Sequence, residues 1–149
     1  MVKKIRTSCI SHSTCETIRY GKNISSYLNP GDCVLLYGNL GSGKTVIARG
    51  IAQGLGITRR ITSPTFTIIN EYTGKVPFFH IDLYRLTSSD TVHVGLEEYM
   101  WGKGISVVEW AERLAEPDLD AFWKVYIRQN RTGSRTIQLN LPKCRQDAG

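Results

Sequence analysis

Cys33-Val34-Leu35-Leu36-Tyr37-Gly38-Asn39-Leu40-Gly41-Ser42-Gly43-Lys44-Thr45 is the stretch that decides the fold. It begins as an apolar run without polar alternation, the pattern of a strand covered on both faces. From Gly38 it matches G-x-x-x-x-G-K-S/T at every fixed position. After Lys44, the residues Val46, Ile47, Ile51 and Leu55 recur at helical spacing until Gly56. Strand, glycine loop and helix in this order make a phosphate cradle. The glycines open backbone angles closed to other residues, so successive amides turn inward, and the helix N-terminus adds partial positive charge. Lys44 is placed to reach β- and γ-phosphate oxygens, and Thr45 offers a hydroxyl to magnesium.

Working outward, residues 13–16 read Ser-Thr-Cys-Glu, a capping box that predicts a helix to about Leu28, stopped by Asn29-Pro30-Gly31. Residues 4–10 are expected to form a short strand before it. Residues 67–72 and 76–82 are β-rich runs around Thr73-Gly74-Lys75, which predicts a hairpin. Residues 88–100 read as an irregular helix, and residues 105–110 as a third apolar strand. Residues 122–128 and 136–141 flank Asn130-Arg131-Thr132-Gly133 as a second antiparallel hairpin. The expected class is therefore α/β: a P-loop NTPase-like three-layer fold with a mixed sheet, parallel at its centre and antiparallel at its edge hairpins.

With 149 residues, 41% hydrophobic and 21% charged, the chain is the size of one domain and has enough apolar content for one core. Residues 1–149 are expected to form a single domain, which excludes disordered and fibrous classes. No run of about 18 apolar residues occurs, and residues 1–10 carry basic side chains with no apolar stretch behind them. Neither a signal peptide nor a membrane span is expected, and a cytoplasmic location follows. Cys9, Cys15, Cys33 and Cys144 are scattered without a CxxC pair, so they are expected to be reduced thiols rather than zinc ligands or a redox pair. A formal charge of +6 favours polyanionic neighbours such as nucleotides or RNA.

A P-loop enzyme also needs a carboxylate to hold magnesium and a group that orients the attacking water. Asp82 ends the run Phe78-Phe79-His80-Ile81-Asp82, and Glu109 ends Ile105-Ser106-Val107-Val108-Glu109. Ligands of open α/β sheets lie beyond such strand ends, so both acids are expected to face the same phosphates. Between loop and acids lies Thr62-Ser63-Pro64-Thr65-Phe66-Thr67, where P-loop proteins carry a segment that senses the γ-phosphate. A small-molecule kinase would need an acceptor pocket and an arginine-bearing lid, and no insertion is long enough to supply one. A dedicated RNA-binding module would carry interleaved aromatics in an RNP or KH pattern, and none is present.

Taken with SPTFT (residues 63–67), Glu71-Tyr72, HIDLYRL (residues 80–86), GLEEY (residues 95–99) and VEWAER (residues 108–113), the chain resembles the TsaE (YjeE) family. The blocks run in family order from about Gly31 to Arg113. That resemblance implies a small bacterial ATPase that joins TsaB and TsaD in forming N6-threonylcarbamoyladenosine in tRNAs reading ANN codons. TsaD carries out the threonylcarbamoyl transfer, ATP binding and hydrolysis keep the complex turning over, and tRNA is met through the assembled complex.

Carried over residue by residue, the resemblance implies that Asn39, Leu40, Gly41, Ser42, Gly43, Lys44, Thr45 and Val46 hold ATP or ADP. Thr17 in the first helix and Arg135 in the last hairpin are expected to approach the adenine or ribose. Thr45 and Glu109 are the implied magnesium ligands, and Lys44, Asp82 and Glu109 the catalytic set. Ser63, Pro64, Thr65 and Phe66 form the implied switch. Arg85 and Trp110 are candidates for a γ-phosphate or partner contact, and His80 is expected to be a satisfied strand residue rather than a base.

Overall fold

The computed structural model describes residues 4–115 and 119–143. Seven strands form one sheet in the order β1-β7-β6-β2-β5-β4-β3. Strand β2 (Cys33–Tyr37) lies between β5 (Ile105–Glu109) and β6 (Trp123–Gln129), parallel to both, and β4 (Phe78–Asp82) continues the parallel block beside β5. At one edge β3 (Ile69–Tyr72) runs antiparallel to β4. At the other, β7 (Arg135–Asn140) runs antiparallel to β6, and β1 (Ser8–Ser11) antiparallel to β7. The mixed sheet with a parallel centre matches the sequence reading, while β1 starts later than expected. The central strand β2 is apolar along its whole length because both its faces are covered. Val34 and Leu36 enter a core with helices α1 (Thr14–Ser25) and α2 (Lys44–Gly54), whereas Cys33 and Leu35 enter a second core on the opposite face.

Ser13 caps α1 by accepting the Glu16 amide at 3.1 Å, but Glu16 reaches back to the His12 amide, at 2.7 Å, one residue before the cap. The helix ends at Ser25, short of Leu28, because the chain tightens into i→i+3 bonds: the Tyr27 and Leu28 amides donate to the carbonyls of Ile24 and Ser25. Helix α2 likewise ends at Gly54, two residues before Gly56, whose φ of +82° closes the terminus. The two helices touch backbone to backbone. A Cβ on Gly21 would lie 2.7 Å from the Ile47 carbonyl oxygen, so only glycine permits this crossing. On the other face, the irregular helix resolves into α3 (Ser88–Thr91) and α4 (Glu97–Met100), interrupted at Gly95, where φ is +73°. Cys9, Cys15 and Cys33 are free thiols, and Cys144 lies outside the described residues.

Candidate functional site

The parallel strands β2, β4 and β5 all end at one edge, and a cleft of about 350 Å³ opens there, floored by the glycine loop and flanked by Asp82 and Glu109. Gly41 (φ +77°) and Gly43 (φ +114°) turn the loop, and Gly43 caps α2 without any side chain. Arg135, reaching over from β7, braces the loop by donating from Nε to the Ser42 carbonyl at 2.7 Å. A Cβ on Gly43 would lie 3.2 Å from that Nε, so the brace needs glycine there. Arg135 therefore acts on the loop backbone while also lining the cleft.

Lys44 is buried at the first turn of α2. Its ammonium donates to the carbonyls of Gly38 and of Asn39, the latter at 3.0 Å, and stands 4.0 Å over the Trp110 ring. Burial pushes its pKa down, and the carboxylates of Glu109, Glu112 and Asp82 oppose that shift. Trp110 holds a left-handed backbone (φ 57°) directly after the strand, which turns its ring under the ammonium. Tyr84 packs on the same indole at 5.0 Å.

Thr45 Oγ1 donates to Glu109 Oε1 at 2.8 Å, and His80 Nε2 lies 2.7 Å from Glu109 Oε2. His80 is completely buried and Glu109 is 3% exposed. An ionised carboxylate only accepts, so His80 Nε2 carries the proton in this bond. Nδ1 finds no partner among the described residues. A neutral imidazole leaves a bare lone pair there, whereas an imidazolium would bury an unmet N–H. His80 is thus a buried strand residue but not the fully satisfied one expected, since only Nε2 is bonded, and its partner is the site carboxylate itself, which sequence reasoning missed.

Asp82 sits beside Glu109 in register, and both acids face the cleft as expected. Its Oδ1 accepts the Tyr84 amide at 2.9 Å, and its Oδ2 accepts the hydroxyls of Ser63 and Thr65 at 3.3 and 3.2 Å. The segment of Ser63, Pro64, Thr65 and Phe66 is thereby tied to a site acid. Ile68 closes that segment with φ 69°, a costly conformation for a β-branched residue. It is held by its amide bonding the Pro64 carbonyl at 2.7 Å and its carbonyl accepting the Asp82 amide at 2.8 Å.

Five expected residues do not line the cleft: Pro64 and Phe66 of the implied switch, and Thr17, Asn39 and Arg85. Thr17 does not line the cleft: it is buried, with its hydroxyl bonded to Ser11 Oγ at 2.7 Å and to the Ser13 carbonyl at 3.2 Å. A hydroxyl in the first turn of a helix finds local partners first. Asn39 lines an adjoining hollow with Leu40 rather than the cleft. Arg85 also stands outside the cleft, its guanidinium 4.3 Å over the exposed Phe66 ring. Among the described residues no cluster of three or more His, Cys, Asp and Glu is placed to hold a metal by itself. The donors at the cleft are the Thr45 hydroxyl and carboxylate oxygens, a hard-oxygen set that suits magnesium completed by water and phosphate.

A parallel-centred α/β sheet, with a glycine loop leaving its central strand and paired acids on the next two, defines a P-loop NTPase-like protein. The family model described as "Threonylcarbamoyl adenosine biosynthesis protein TsaE" matches residues 11–137, and the chain belongs to this family. It is 39% identical over 130 residues to the tRNA threonylcarbamoyladenosine biosynthesis protein TsaE of Treponema pallidum, covering 87% of this chain and 96% of that one. It is 46% identical over 102 residues to the protein of the same name from Bacillus subtilis, covering 68% of this chain and 64% of that one. The crystal structure of Bacillus subtilis YdiB superposes with a TM-score of 0.81 at 34% identity, covering 95% of this chain and 88% of YdiB.

Proposed function

We propose that this chain is a magnesium-dependent ATP hydrolase that works with TsaB and TsaD in forming N6-threonylcarbamoyladenosine in tRNAs reading ANN codons. It is not the threonylcarbamoyl transferase; its nucleotide cycle supports turnover of the assembled complex, through which tRNA is met. The observation that carries this reading is the Thr45–Glu109 hydrogen bond of 2.8 Å at the mouth of the glycine loop, in a chain of the TsaE family. A P-loop hydroxyl paired to a strand-end carboxylate is the arrangement that holds a magnesium ion against nucleotide phosphates.

A magnesium ion held here would neutralise charge that develops on the phosphate oxygens. Thr45 and Glu109 would hold it, and His80 keeps the Glu109 carboxylate aimed. The amides of residues 39–46 and the Lys44 ammonium bind the phosphates. Lys44 reaches them by exchanging the Gly38 and Asn39 carbonyls for anionic oxygens, a stronger partner. Asp82 orients water at the phosphate and couples that position to Ser63 and Thr65. Trp110 shields the ammonium from solvent on one side.

Binding of a fluorescent ATP analogue, measured with and without magnesium, tests this reading. The parent chain binds in a magnesium-enhanced manner, Lys44→Ala loses affinity by about two orders of magnitude as removal of a charge-assisted contact set predicts, and Glu109→Gln loses the magnesium enhancement. Equal binding by the parent chain and Lys44→Ala would overturn it.

A further inference from the structure

Ser42 of the glycine loop is fixed from two sides. Its side chain, buried with the residue at 2% exposure, packs beneath Gly38, where a Cβ would lie 2.5 Å from Ser42 Oγ. Its carbonyl accepts Arg135 Nε at 2.7 Å, and Arg135 Nη2 lies 3.5 Å from the Gly41 carbonyl. The peptide that joins Ser42 to Gly43 is trans, so its C=O and N–H point opposite ways. Drawing the Ser42 carbonyl onto the guanidinium therefore turns the Gly43 N–H to the other side of the loop. That amide has no backbone partner among the described residues, which leaves it free to donate to an anion.

Arg135 is well anchored for this task. It is the first residue of β7, opposite Gln129 of β6 and Ser11 of β1, so its backbone is gripped by strands on both sides. No carboxylate pairs with it among the described residues, and its hydrogen bonds go to the two loop carbonyls. The planar fork of arginine aims two donors at two neighbouring carbonyls, which the single ammonium of lysine does not do. Its stem also lies against Gly43, where a Cβ would come within 3.3 Å of Arg135 Cδ. The side chain is thus engaged with the loop along its length, whereas the sequence reading expected it at adenine or ribose.

We propose that Arg135 is a positioning residue for phosphate binding: it holds the Ser42–Gly43 peptide with its N–H turned to the phosphates and acts through the loop, not on base or ribose. The proposal rests on the nucleotide-binding reading above and adds to it a side chain from the far edge of the sheet. Fixing a donor in its binding orientation raises affinity by removing the cost of ordering it on binding.

The test compares ATP with tripolyphosphate, which has neither base nor ribose, by calorimetric titration of the full chain in magnesium, alongside amide ¹H–¹⁵N spectra of the chain free of ligand. Arg135→Ala weakens both ligands by the same factor of about ten, the scale of one misdirected hydrogen bond to a charged oxygen. Arg135→Lys keeps the charge but not the fork, and remains within about threefold of Arg135→Ala for both ligands. In the ligand-free spectra of Arg135→Ala, the amides of residues 41–45 shift while those of β2 and α1 stay in place, which reports an intact fold. A loss for ATP with tripolyphosphate unaffected would assign Arg135 to base or ribose and overturn the proposal. Binding by Arg135→Lys equal to the parent chain would reduce the effect to charge and overturn it as well. Unaltered loop amides would overturn the brace by themselves, whereas a parent chain that binds neither ligand would overturn the nucleotide reading and this proposal with it.

Discussion

His80 and Glu109 meet through a 2.7 Å hydrogen bond, with His80 completely buried and Glu109 3% exposed. The bond arises from sheet register: β4 and β5 run parallel with His80 opposite Val107 and Asp82 opposite Glu109, so the imidazole lies along the path of the carboxylate. Glu109 therefore has one oxygen committed to the sheet interior and the other to Thr45 at the glycine loop.

Removing the imidazole leaves a buried carboxylate short of a donor, a loss of about 1–3 kcal/mol. His80→Ala is expected to melt several degrees below the parent chain, on the scale of about 2–4 °C per kcal/mol for a chain of this size. His80→Gln, which keeps an N–H donor, recovers part of the difference. Thermal unfolding followed by circular dichroism checks this, and an unchanged midpoint for His80→Ala would contradict it.

The crossing of α1 and α2 gives a second expectation. Alanine is the better helix former, so propensity alone predicts that Gly21→Ala stabilises the chain by about 0.5–1 kcal/mol. The Cβ would instead lie 2.7 Å from the Ile47 carbonyl oxygen and 2.9 Å from Gly50 Cα, both backbone atoms that cannot swing aside. A net loss of about 1–3 kcal/mol is expected, read as a lower urea midpoint; a raised midpoint would show that the helices separate freely.

Two phenols titrate late. Burial pushes Tyr20 up to about 12, with Cys9 adding to the shift, and burial pushes Tyr37 up to about 12, with Tyr126 and Glu112 adding. Both folded values exceed the unfolded value of about 10. Their contribution to stability is therefore complete below about pH 10 and is lost as the pH rises through about 12. Phenolate absorbance should rise in two phases, the later one coinciding with unfolding. A single phase near pH 10 in the folded chain would contradict the burial of these rings.

Local patterns were legible because their causes are local. The apolar run of β2, the glycines that follow it and the period of α2 each need only neighbouring residues, and the strand-end acids Asp82 and Glu109 follow from the same logic. What depends on pairing between distant segments was not legible. The His80–Glu109 bond and the Tyr37–Tyr126 stack exist only once β4 is set beside β5 and β6 beside β2. Thr17 and Arg85 illustrate another limit: side chains that suit a ligand also suit a nearby hydroxyl or an exposed ring, and those partners are closer. The strained backbone of Ile68 and Trp110 has no signature at all, since neither residue type favours a left-handed φ.

ATP turnover tests the central claim most directly. It is measured with the purified chain alone, then with TsaB, TsaD and tRNA, for the parent chain, Lys44→Ala and Glu109→Ala. Slow hydrolysis by the chain alone, stimulated by the partners and abolished by both substitutions, is the predicted result. Hydrolysis that is indifferent to the partners, or that survives Lys44→Ala, would contradict the assignment.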